Sequence, residues 1–396
     1  MNNKKLIQVI FCALLATPAL AKPELEVAVE WNSFSYDVKD SKVKAVWEAS
    51  DLYGKALVQG VKLDSHGTMY VSTARWGGAS MPSTLSKLVK KADEWVLQAF
   101  PSQELNNVAN PLGLKSVLGF EIDRNNVMWI LDQGHIGGSM SAGDAKLILW
   151  DIDNNKEIQR HVFSNEVADQ KCSFLNDLAV DNDTGVAYIA DSGIFCDPLH
   201  GGLIVYDSKT QSAKRVLDQS KFTSDDPNFF FNIGERVVTK GGAMRTGADG
   251  IALSSNKETL YWTNLTGNSL YSLPTKLLRD FSTEENTIEG AVNLEITLPS
   301  NTDGMTFDNK GNLYMTALTL DGVMKYNTAT GKLSRFIHHP EMLWPDTLAW
   351  GPDDALYITS NQLHVWVDGE MDFESPKVPN FRIWKIKNVG KSYTSK

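Results

Sequence analysis

Short runs of alternating hydrophobic residues recur in pairs along most of the chain. In the stretch "DGMTFDNKGNLYMTAL" from Asp303, two such runs flank a turn that carries asparagine, lysine and glycine. Alternation with a period of two predicts half-buried β-strands, and the turn residues between the runs predict a tight hairpin. The same pattern occurs six times, with first residues at Gln59, Leu118, Asn176, Asp249, Asp303 and Asp346.

Each predicted hairpin shares further features that define an architecture. The second strand carries an aromatic residue, at Tyr70, Trp129, Tyr188, Tyr261, Tyr314 and Tyr357. Two more strands follow most hairpins, as in "GGLIVYD" and "AKRVLD". Six repeats of four antiparallel strands predict an all-β protein with a six-bladed β-propeller. The sixth repeat has only "FRIWKI" after its hairpin, so we expect the N-terminal "LEVAVEW" to complete that blade and close the ring.

Three stretches depart from the repeat. Residues 218–248 form an insertion that is predicted to contain a hairpin turning at Gly241-Gly242, residues 274–287 are predicted to form a short helix, and residues 367–380 a polar loop. Long loops on a rigid scaffold often shape a binding mouth, although a purely decorative role fits these three equally well.

The first 21 residues differ from the rest of the chain. Lys4 and Lys5 give a basic start, an apolar run follows, and Ala19-Leu20-Ala21 matches a small-x-small cleavage signal. This pattern predicts a secretory signal peptide over residues 1–21. We therefore expect residues 22–396 to form a single propeller domain that is secreted or periplasmic.

Composition narrows the set of partners. The chain has 38 lysines and arginines against 48 aspartates and glutamates, a formal net charge of −10, and these charges are dispersed. An acidic balance argues against nucleic acid or an anionic membrane as a partner, and we expect a monomer that binds a small molecule.

Outside the predicted signal peptide the sequence contains two cysteines, Cys172 and Cys196. Two cysteines in an exported protein predict one disulfide, with two buried free thiols as the alternative.

The repeat also predicts where chemistry would lie. In a propeller the first strand of each blade lines the axis, and its start lies at the same face as the end of the second strand. One column of side chains therefore comprises Gln59, Leu118, Asn176, Asp249, Asp303 and Asp346. A second column comprises Thr73, Asp132, Asp191, Asn264, Ala317 and Ser360. Both columns are expected to converge on one mouth of the channel.

The acidic members of these columns favour a cationic ligand. Carboxylates crowded around one axis repel one another unless they are protonated or share a cation. Hard oxygen donors suit Ca²⁺, Mg²⁺ or Mn²⁺, and an organic amine could take the same place while stacking on an aromatic side chain. The alternative for each aspartate is a turn residue that accepts backbone N–H groups.

Several stretches resemble the yellow / major royal jelly protein family. They include "RWGGASMPSTLSKL" from Arg75, "CSFLNDLAVD" from Cys172 and "DGIALSSNKETLYWTNLTGNSLYSLPTKLLRD" from Asp249. The resemblance implies a secreted six-bladed propeller with a small-molecule pocket in its central channel. Members of the family include pigmentation proteins linked to dopachrome isomerisation, amine-binding salivary proteins and nutritive proteins.

A more distant resemblance is to the gluconolactonase / senescence-marker propellers, which hold a divalent cation at the starts of their innermost strands. It implies Asn176, Asp249 and Asp303 as metal ligands, with neutral Gln59 in place of a glutamate. A bound cation could polarise a carbonyl group, with Asp346 as general base.

The predicted function is binding of a small polar or cyclic molecule at the channel mouth, with cation-dependent hydrolysis of a lactone-type ester as the most plausible reaction. Alternatives are tautomerisation of a dopachrome-like quinone and non-enzymatic binding of an amine or phenolic ligand.

The predicted ligand contacts are Gln59, Asp132, Asp191 and Asn264. His135 in "LDQGHIGG" is a second candidate base or a simple loop residue. Trp76 and Trp344 are expected either to face the pocket or to pack between blades.

Overall fold

A computed structural model describes residues 22–50, 56–141, 143–238 and 244–392. The predicted signal peptide and the predicted turn at Gly241-Gly242 lie outside the described residues. Within them, six four-stranded antiparallel sheets are arranged as the blades of a six-bladed β-propeller, which confirms the predicted fold class.

The first five blades each follow chain order from the axis outwards. Blade one comprises β2 (Val61–Leu63), β3 (Met69–Ser72), β4 (Leu85–Lys91) and β5 (Glu94–Ala99), and blade two comprises β6 (Val117–Ile122), β7 (Val127–Asp132), β8 (Lys146–Asp151) and β9 (Lys156–Val162). Blade three comprises β10 (Leu175–Asp181), β11 (Val186–Asp191), β12 (Gly202–Asp207) and β13 (Ser212–Val216). Blade four comprises β16 (Ala248–Leu253), β17 (Thr259–Asn264), β18 (Ser269–Pro274) and β19 (Asn293–Thr297), and blade five comprises β20 (Met305–Phe307), β21 (Asn312–Ala317), β22 (Gly322–Asn327) and β23 (Lys332–His338).

The sixth blade joins the two ends of the domain. Its inner strands are β24 (Pro345–Trp350), β25 (Leu356–Ser360) and β26 (Phe381–Lys387), and its outer strand is the N-terminal β1 (Glu24–Trp31). The β1 strand runs antiparallel to β26, with Trp31 opposite Phe381. The prediction that an N-terminal strand closes the ring is therefore confirmed.

The repeated aromatic of the second strand has a structural role at the hairpin. In blade one the Tyr70 hydroxyl donates to Asp64, whose other oxygen accepts the N–H groups of His66 and Thr68 in the turn. Blades two and five place an aspartate and an aromatic donor in the same relation, namely Asp123 with Trp129 and Asp308 with Tyr314. These aspartates are turn residues, because their oxygens satisfy hairpin N–H groups and an aromatic donor.

The core lies between neighbouring blades. Trp262 of blade four is fully buried and belongs to one hydrophobic cluster with Leu203 and Val205 of blade three. Each blade therefore stabilises its neighbours by removing apolar surface from water, and the ring of blades holds the axial strands in place.

The remaining elements decorate the propeller. They are α1 (Ser41–Ala49), a small hairpin of β14 (Asn232–Ile233) and β15 (Arg236–Val237), two short helices α2 (Thr275–Arg279) and α3 (Glu285–Gly290), a 3₁₀ turn at Leu318–Leu320, and α4 (Leu363–Trp366). The insertion contains a hairpin that turns at residues 234–235, where Gly234 supplies the positive φ that a tight turn needs. The single helix predicted over residues 274–287 is divided in two, since Asp280 adopts an extended conformation. No helix among the described residues is long and apolar enough to cross a membrane.

Candidate functional site

In four of the six blades the innermost strand has an irregularity near its start, where the repeated residue pair lies. In blades two, three, four and six the register with the second strand shifts there, as between Ala248 and Ile251, which marks a β-bulge. A bulge turns side chains away from the regular alternation of the strand. The first residue of the pair lines a single cavity of about 450 Å³ in five blades, the four with a bulge and blade five, namely Leu118, Asn176, Asp249, Asp303 and Asp346.

Glycine in the second position of the pair lets the innermost strands approach closely. A Cβ atom on Gly250 would lie 2.1 Å from the carbonyl oxygen of Asp303, and one on Gly304 would lie 2.3 Å from that of Asp346. Gly119 is in the same relation to Asn176. Because the innermost strands approach one another closely here, the side chains of the first positions are brought together around the axis.

Three carboxyl groups form an acidic floor, which we define as Asp249, Asp303 and Asp346. Burial raises the pKa of Asp249 well above its ordinary value, and the neighbouring charges of Asp303 and Asp346 raise it further. Burial also raises the pKa of Asp346, with Asp303 adding to the effect. Like charges in a site of low polarity favour the protonated form, so the acidic floor retains protons near neutral pH.

Asp303 has the best-defined partners of the three. Its Oδ2 atom accepts a hydrogen bond from the indole Nε1 of Trp344 at 2.7 Å, and it shares a hydrogen bond with Asp249. Burial raises the pKa of Asp303 to about 7, although both of these hydrogen bonds act in the opposite direction. Trp344 is itself fully buried and stacks on His364, which fixes the indole N–H towards the floor.

A second charged layer lies next to the floor. Lys62 donates to Glu121 at 2.9 Å and to the carbonyl oxygen of Leu348. Burial disfavours the ammonium charge, but Glu121 and Asp177 outweigh it and raise the pKa of Lys62. Asp177 follows Asn176 in the position that glycine takes in four blades, and burial raises its pKa to about 6. The charge of Asp177 also raises the pKa values of all three floor carboxyls.

The walls of the cavity are mainly aromatic and aliphatic. Trp76, Phe174, Phe195 and Trp366 line it together with several aliphatic side chains, and Arg245 is the one cationic side chain among the described lining residues. Trp76 lies 5.8 Å from Phe174 and 6.2 Å from Trp366 between ring centroids. The same cavity therefore presents both aromatic faces and the acidic floor.

His135 is part of this wall. Its ring packs at 4.5 Å from Phe195, and its Nε2 atom lies 2.8 Å from the carbonyl oxygen of Ser173. A carbonyl only accepts, so Nε2 carries the proton and Nδ1 presents a lone pair. No partner among the described residues reaches Nδ1, although the atom is buried. Burial lowers the pKa of His135, which favours this neutral form.

Asp132, a predicted ligand contact, lies elsewhere. It is fully buried, accepts the backbone N–H groups of Lys115, Ser116 and Gly134, and pairs with Lys146 at 2.7 Å. All of these partners are protein groups, so its oxygens hold the loop before β6 instead of facing the cavity.

Asp191 has the corresponding place in blade three. It is fully buried, accepts from the N–H groups of Phe174 and Gly193, and pairs with Arg215 at 2.5 Å. The reason is the strand register, because Asp191 lies opposite Leu175 rather than opposite Asn176. Cross-strand partners share a face of the sheet, so the second column does not point to the axis.

The other two predicted ligand contacts are also outside the lining of the cavity. Gln59 is buried and its Oε1 atom accepts the N–H group of Ala74. Asn264 is buried and donates to the carbonyl oxygen of Ser224 at 2.6 Å. We therefore do not retain Gln59 and Asn264 in the proposed ligand site.

Cys172 and Cys196 form the predicted disulfide, with Cα atoms 4.3 Å apart. The bond ties the segment before β10 to the loop after β11. Phe174 and Phe195, which line the cavity, each lie within two residues of one of these cysteines. The disulfide therefore stabilises one wall of the site.

Some of the oxygen atoms that face the cavity are of the kind that bind divalent cations. Asn176 donates its Nδ2 to Ser192 Oγ, which leaves the Oδ1 atom of Asn176 without a donor among the described residues. With Asp249 and the second oxygen of Asp303, three hard oxygen donors are present, and this chemistry fits Ca²⁺, Mg²⁺ or Mn²⁺. The carboxyl oxygens of Asp249, Asp303 and Asp346 do not all lie within 4.8 Å of one another in the described chain. At most part of the floor would therefore bind one ion.

Sequence reasoning missed several residues of the site. Phe174 and Phe195 come from loops outside the repeat, Trp366 comes from α4, and Arg245 comes from the insertion over residues 218–248. Trp344 was a candidate for the pocket, but its contact with Asp303, 41 positions away in the sequence, was not predicted. Two signals in the sequence pointed to these residues: the cysteines, which lie next to the two phenylalanines, and the insertion that contains Arg245.

Comparison with known proteins places the chain in a family. The family model for major royal jelly protein matches residues 115–391, and the chain therefore belongs to the major royal jelly protein family. It is similar to major royal jelly protein 1 of Apis mellifera, with 26% identity over 68% of this chain and 63% of that protein. It is similar to protein yellow of Drosophila erecta, with 22% identity over 93% of this chain and 70% of that protein.

Likeness to solved structures supports the fold alone. A calcium-binding protein, regucalcin from Agrobacterium tumefaciens, superposes with a TM-score of 0.51 at 13% identity, over 86% of this chain and 94% of that chain. The chain spans less than two thirds of the length of major royal jelly protein 1, so the activity of the whole relative does not transfer to it.

Proposed function

We propose that the protein binds a small aromatic or other cyclic amine in the axial cavity. The ring would lie between the aromatic walls, and the ammonium group would meet the acidic floor. The observation that carries this proposal is the joint placement of Asp249, Asp303 and Asp346 beneath Trp76 and an aromatic wall in one cavity of about 450 Å³.

The charge state of the floor supports a cationic ligand. Asp249, Asp303 and Asp346 all have raised pKa values because they are buried next to one another. An ammonium group would relieve this repulsion and stabilise the ionised carboxylates. Binding would then release protons, and the affinity would rise as the pH increases from 6 to 8. Aromatic faces add a cation–π contribution of about 1 kcal/mol.

His135 supports a ligand that also carries a hydroxyl group. Its buried Nδ1 atom has no partner among the described residues and can accept a hydrogen bond. An unpartnered buried acceptor is unfavourable by about 1–3 kcal/mol until a donor reaches it. A phenolic amine would satisfy both the floor and His135. The same lone pair is what a dopachrome-type tautomerase would need for proton abstraction.

Hydrolysis of a lactone is the second candidate, and the three oxygen donors from consecutive blades favour it. Asn176, Asp249 and Asp303 would hold a divalent cation, which would polarise the carbonyl of an ester. Asp346 accepts hydrogen bonds from Asn361 and Thr347, and its pKa is raised by burial. A bound cation would favour the ionised form of Asp346, which could then take a proton from water. This function, like export of a monomeric chain after removal of residues 1–21, remains a proposal.

Calorimetric titration with tryptamine and with tryptophol tests the proposed function. The two probes share the indole ring and differ in an ammonium against a neutral hydroxyl group. We expect tryptamine to bind at least tenfold more tightly at pH 8, and Asp303→Asn to remove most of that preference. Asp93→Asn, in the exposed turn between β4 and β5, is the matched control and should leave it intact.

Equal affinity for both probes in the wild type would contradict the amine proposal. Hydrolysis of glucono-δ-lactone by chelator-treated protein, with and without added Ca²⁺ or Mn²⁺, separates the second candidate. Lactonase activity that depends on the cation and is lost in Asp249→Asn would favour hydrolysis over binding.

A further inference from the structure

Next to the cavity wall, one histidine lies against the disulfide. Cys196 and His200 belong to the loop between β11 and β12, and Cys172 precedes β10. The Nε2 atom of His200 lies 3.7 Å from the Sγ atom of Cys172. The two sulfur atoms and the His200 ligand atom all lie within 4.8 Å of one another.

The tautomer of His200 follows from its other contact. Its Nδ1 atom lies 2.9 Å from the carbonyl oxygen of Pro198, which can only accept. Nδ1 therefore carries the proton in the neutral ring, and Nε2 directs a lone pair towards the sulfur atoms. A histidine that ligates a metal through one ring nitrogen usually donates from the other to a carbonyl or carboxylate, which is the arrangement here.

We propose that the reduced form of this cluster is a binding site for a zinc-like metal ion, with Cys172, Cys196 and His200 as ligands. Two thiolates and one imidazole are soft to borderline donors that suit Zn²⁺, in contrast to the oxygen donors of the acidic floor. Three protein ligands leave the fourth position of a tetrahedral ion open to water.

The chemistry requires an external two-electron reductant, for which a phosphine serves in the experiment. The phosphine takes its oxygen atom from water and becomes a phosphine oxide, while the disulfide gains two electrons and two protons to become two thiols. Zn²⁺ then displaces both thiol protons and binds the neutral His200, so two protons are released for each ion bound.

The position of the site gives it a consequence for the cavity. Phe174 lies two residues after Cys172, and Phe195 directly precedes Cys196, and both line the cavity. Either the disulfide or a bound metal ion would hold these segments together. The structure of this wall would then persist under oxidising conditions and under reducing conditions that supply zinc.

The experiment compares Zn²⁺ binding by oxidised and reduced full-length protein. Tris(2-carboxyethyl)phosphine reduces the disulfide without adding a competing thiol, and a chromophoric chelator reports the Zn²⁺ affinity. Co²⁺ gives an independent signature, because thiolate ligands produce charge-transfer absorption that oxygen ligands do not. The Cys172→Ser/Cys196→Ser double variant measures Zn²⁺ bound by the acidic floor or elsewhere.

We expect one additional Zn²⁺ per reduced chain relative to the double variant, with thiolate–Co²⁺ absorption, and none in the oxidised protein. His200→Ala should weaken that binding more than tenfold. His338→Ala is the matched control, since His338 Nδ1 also contacts backbone carbonyl oxygens but no cysteine is near it, and it should change nothing.

Two results would overturn the proposal. One is equal Zn²⁺ binding by the reduced wild type and the double variant, and the other is unchanged affinity in His200→Ala. Circular dichroism monitors folding throughout. A reduced protein that unfolds should refold on addition of Zn²⁺, and failure to do so would also count against the site.

Discussion

Replacement of Asp303 by asparagine is expected to stabilise the ligand-free protein at alkaline pH. The side chain contributes to the acidic floor, and its Oδ2 atom accepts from Trp344 at 2.7 Å. Asparagine has nearly the same shape, and its Oδ1 atom can keep that hydrogen bond. The substitution therefore removes a carboxylate charge from a crowded site without opening a cavity.

The magnitude follows from proton linkage. Burial raises the pKa of Asp303 from 3.8 to about 7, so the folded protein holds this proton more tightly than the unfolded chain does. The resulting stability is present in full below pH 3.8 and is lost as the pH rises through about 7. At 1.4 kcal/mol per pKa unit the full loss is about 4 kcal/mol, and we halve it because Asp303 is partly exposed and shares protons with its neighbours. Between pH 4.5 and pH 8 the variant should thus gain roughly 2 kcal/mol over the wild type.

Thermal melts of chelator-treated wild type, Asp303→Asn and the control Asp93→Asn at pH 4.5 and 8 measure this difference. A gain of roughly 2 kcal/mol corresponds to about 4 °C in melting temperature for a chain of this size. Asp93→Asn should follow the wild type at both pH values. An advantage of Asp303→Asn that is the same at pH 4.5 and pH 8, or a variant that is less stable at pH 8, would refute the assignment of a raised pKa.

Three further substitutions test how the site is built. Gly304→Ala places a Cβ atom 2.3 Å from a backbone oxygen of the next blade, and it should lower the free energy of unfolding by roughly 2 kcal/mol or more in chemical denaturation. The control Gly290→Ala adds a Cβ atom in open space and should change the free energy of unfolding by less than about 0.5 kcal/mol. Asp132→Asn leaves the buried Lys146 without its charged partner and should lower the free energy of unfolding by about 3 kcal/mol. The affinity of the folded variant for tryptamine should not change. A loss of tryptamine affinity without a loss of stability would show that Asp132 contacts the ligand. The Cys172→Ser/Cys196→Ser double variant opens a loop with a sequence separation of 24 and should lose about 3 kcal/mol, and an unchanged melting temperature would show that the bond does not stabilise the wall.

The fold could be predicted from the sequence because each repeat is specified by residues that are close to one another in the chain. Each hairpin is specified by alternation, a turn and an aromatic residue within about twenty positions, as in the stretch from Asp303, and six copies define the ring. The same register placed Asn176, Asp249, Asp303 and Asp346 at one mouth, where the structure brings them together around a single cavity.

Side-chain direction was harder to predict than strand position. Asp132 and Asp191 do end their strands at the expected face, but each pairs with the residue before the bulge and so points away from the axis. A bulge reverses which face of the sheet the following side chains point to, and the alternation of hydrophobic residues does not show where this happens. The aromatic walls could not be predicted for a different reason, since Trp366 in α4 and Phe195 in a loop lie outside the repeat and their positions depend on tertiary packing.

The location of a bound aromatic amine tests the central claim most directly. We predict that a crystal structure of the protein with tryptamine at pH 8 places the indole ring against Trp76 and Phe174, with the ammonium nitrogen within hydrogen-bonding distance, about 3 Å, of Asp249 or Asp303. A tryptamine molecule outside the axial cavity, or one with its ammonium group directed away from the acidic floor, would contradict the account.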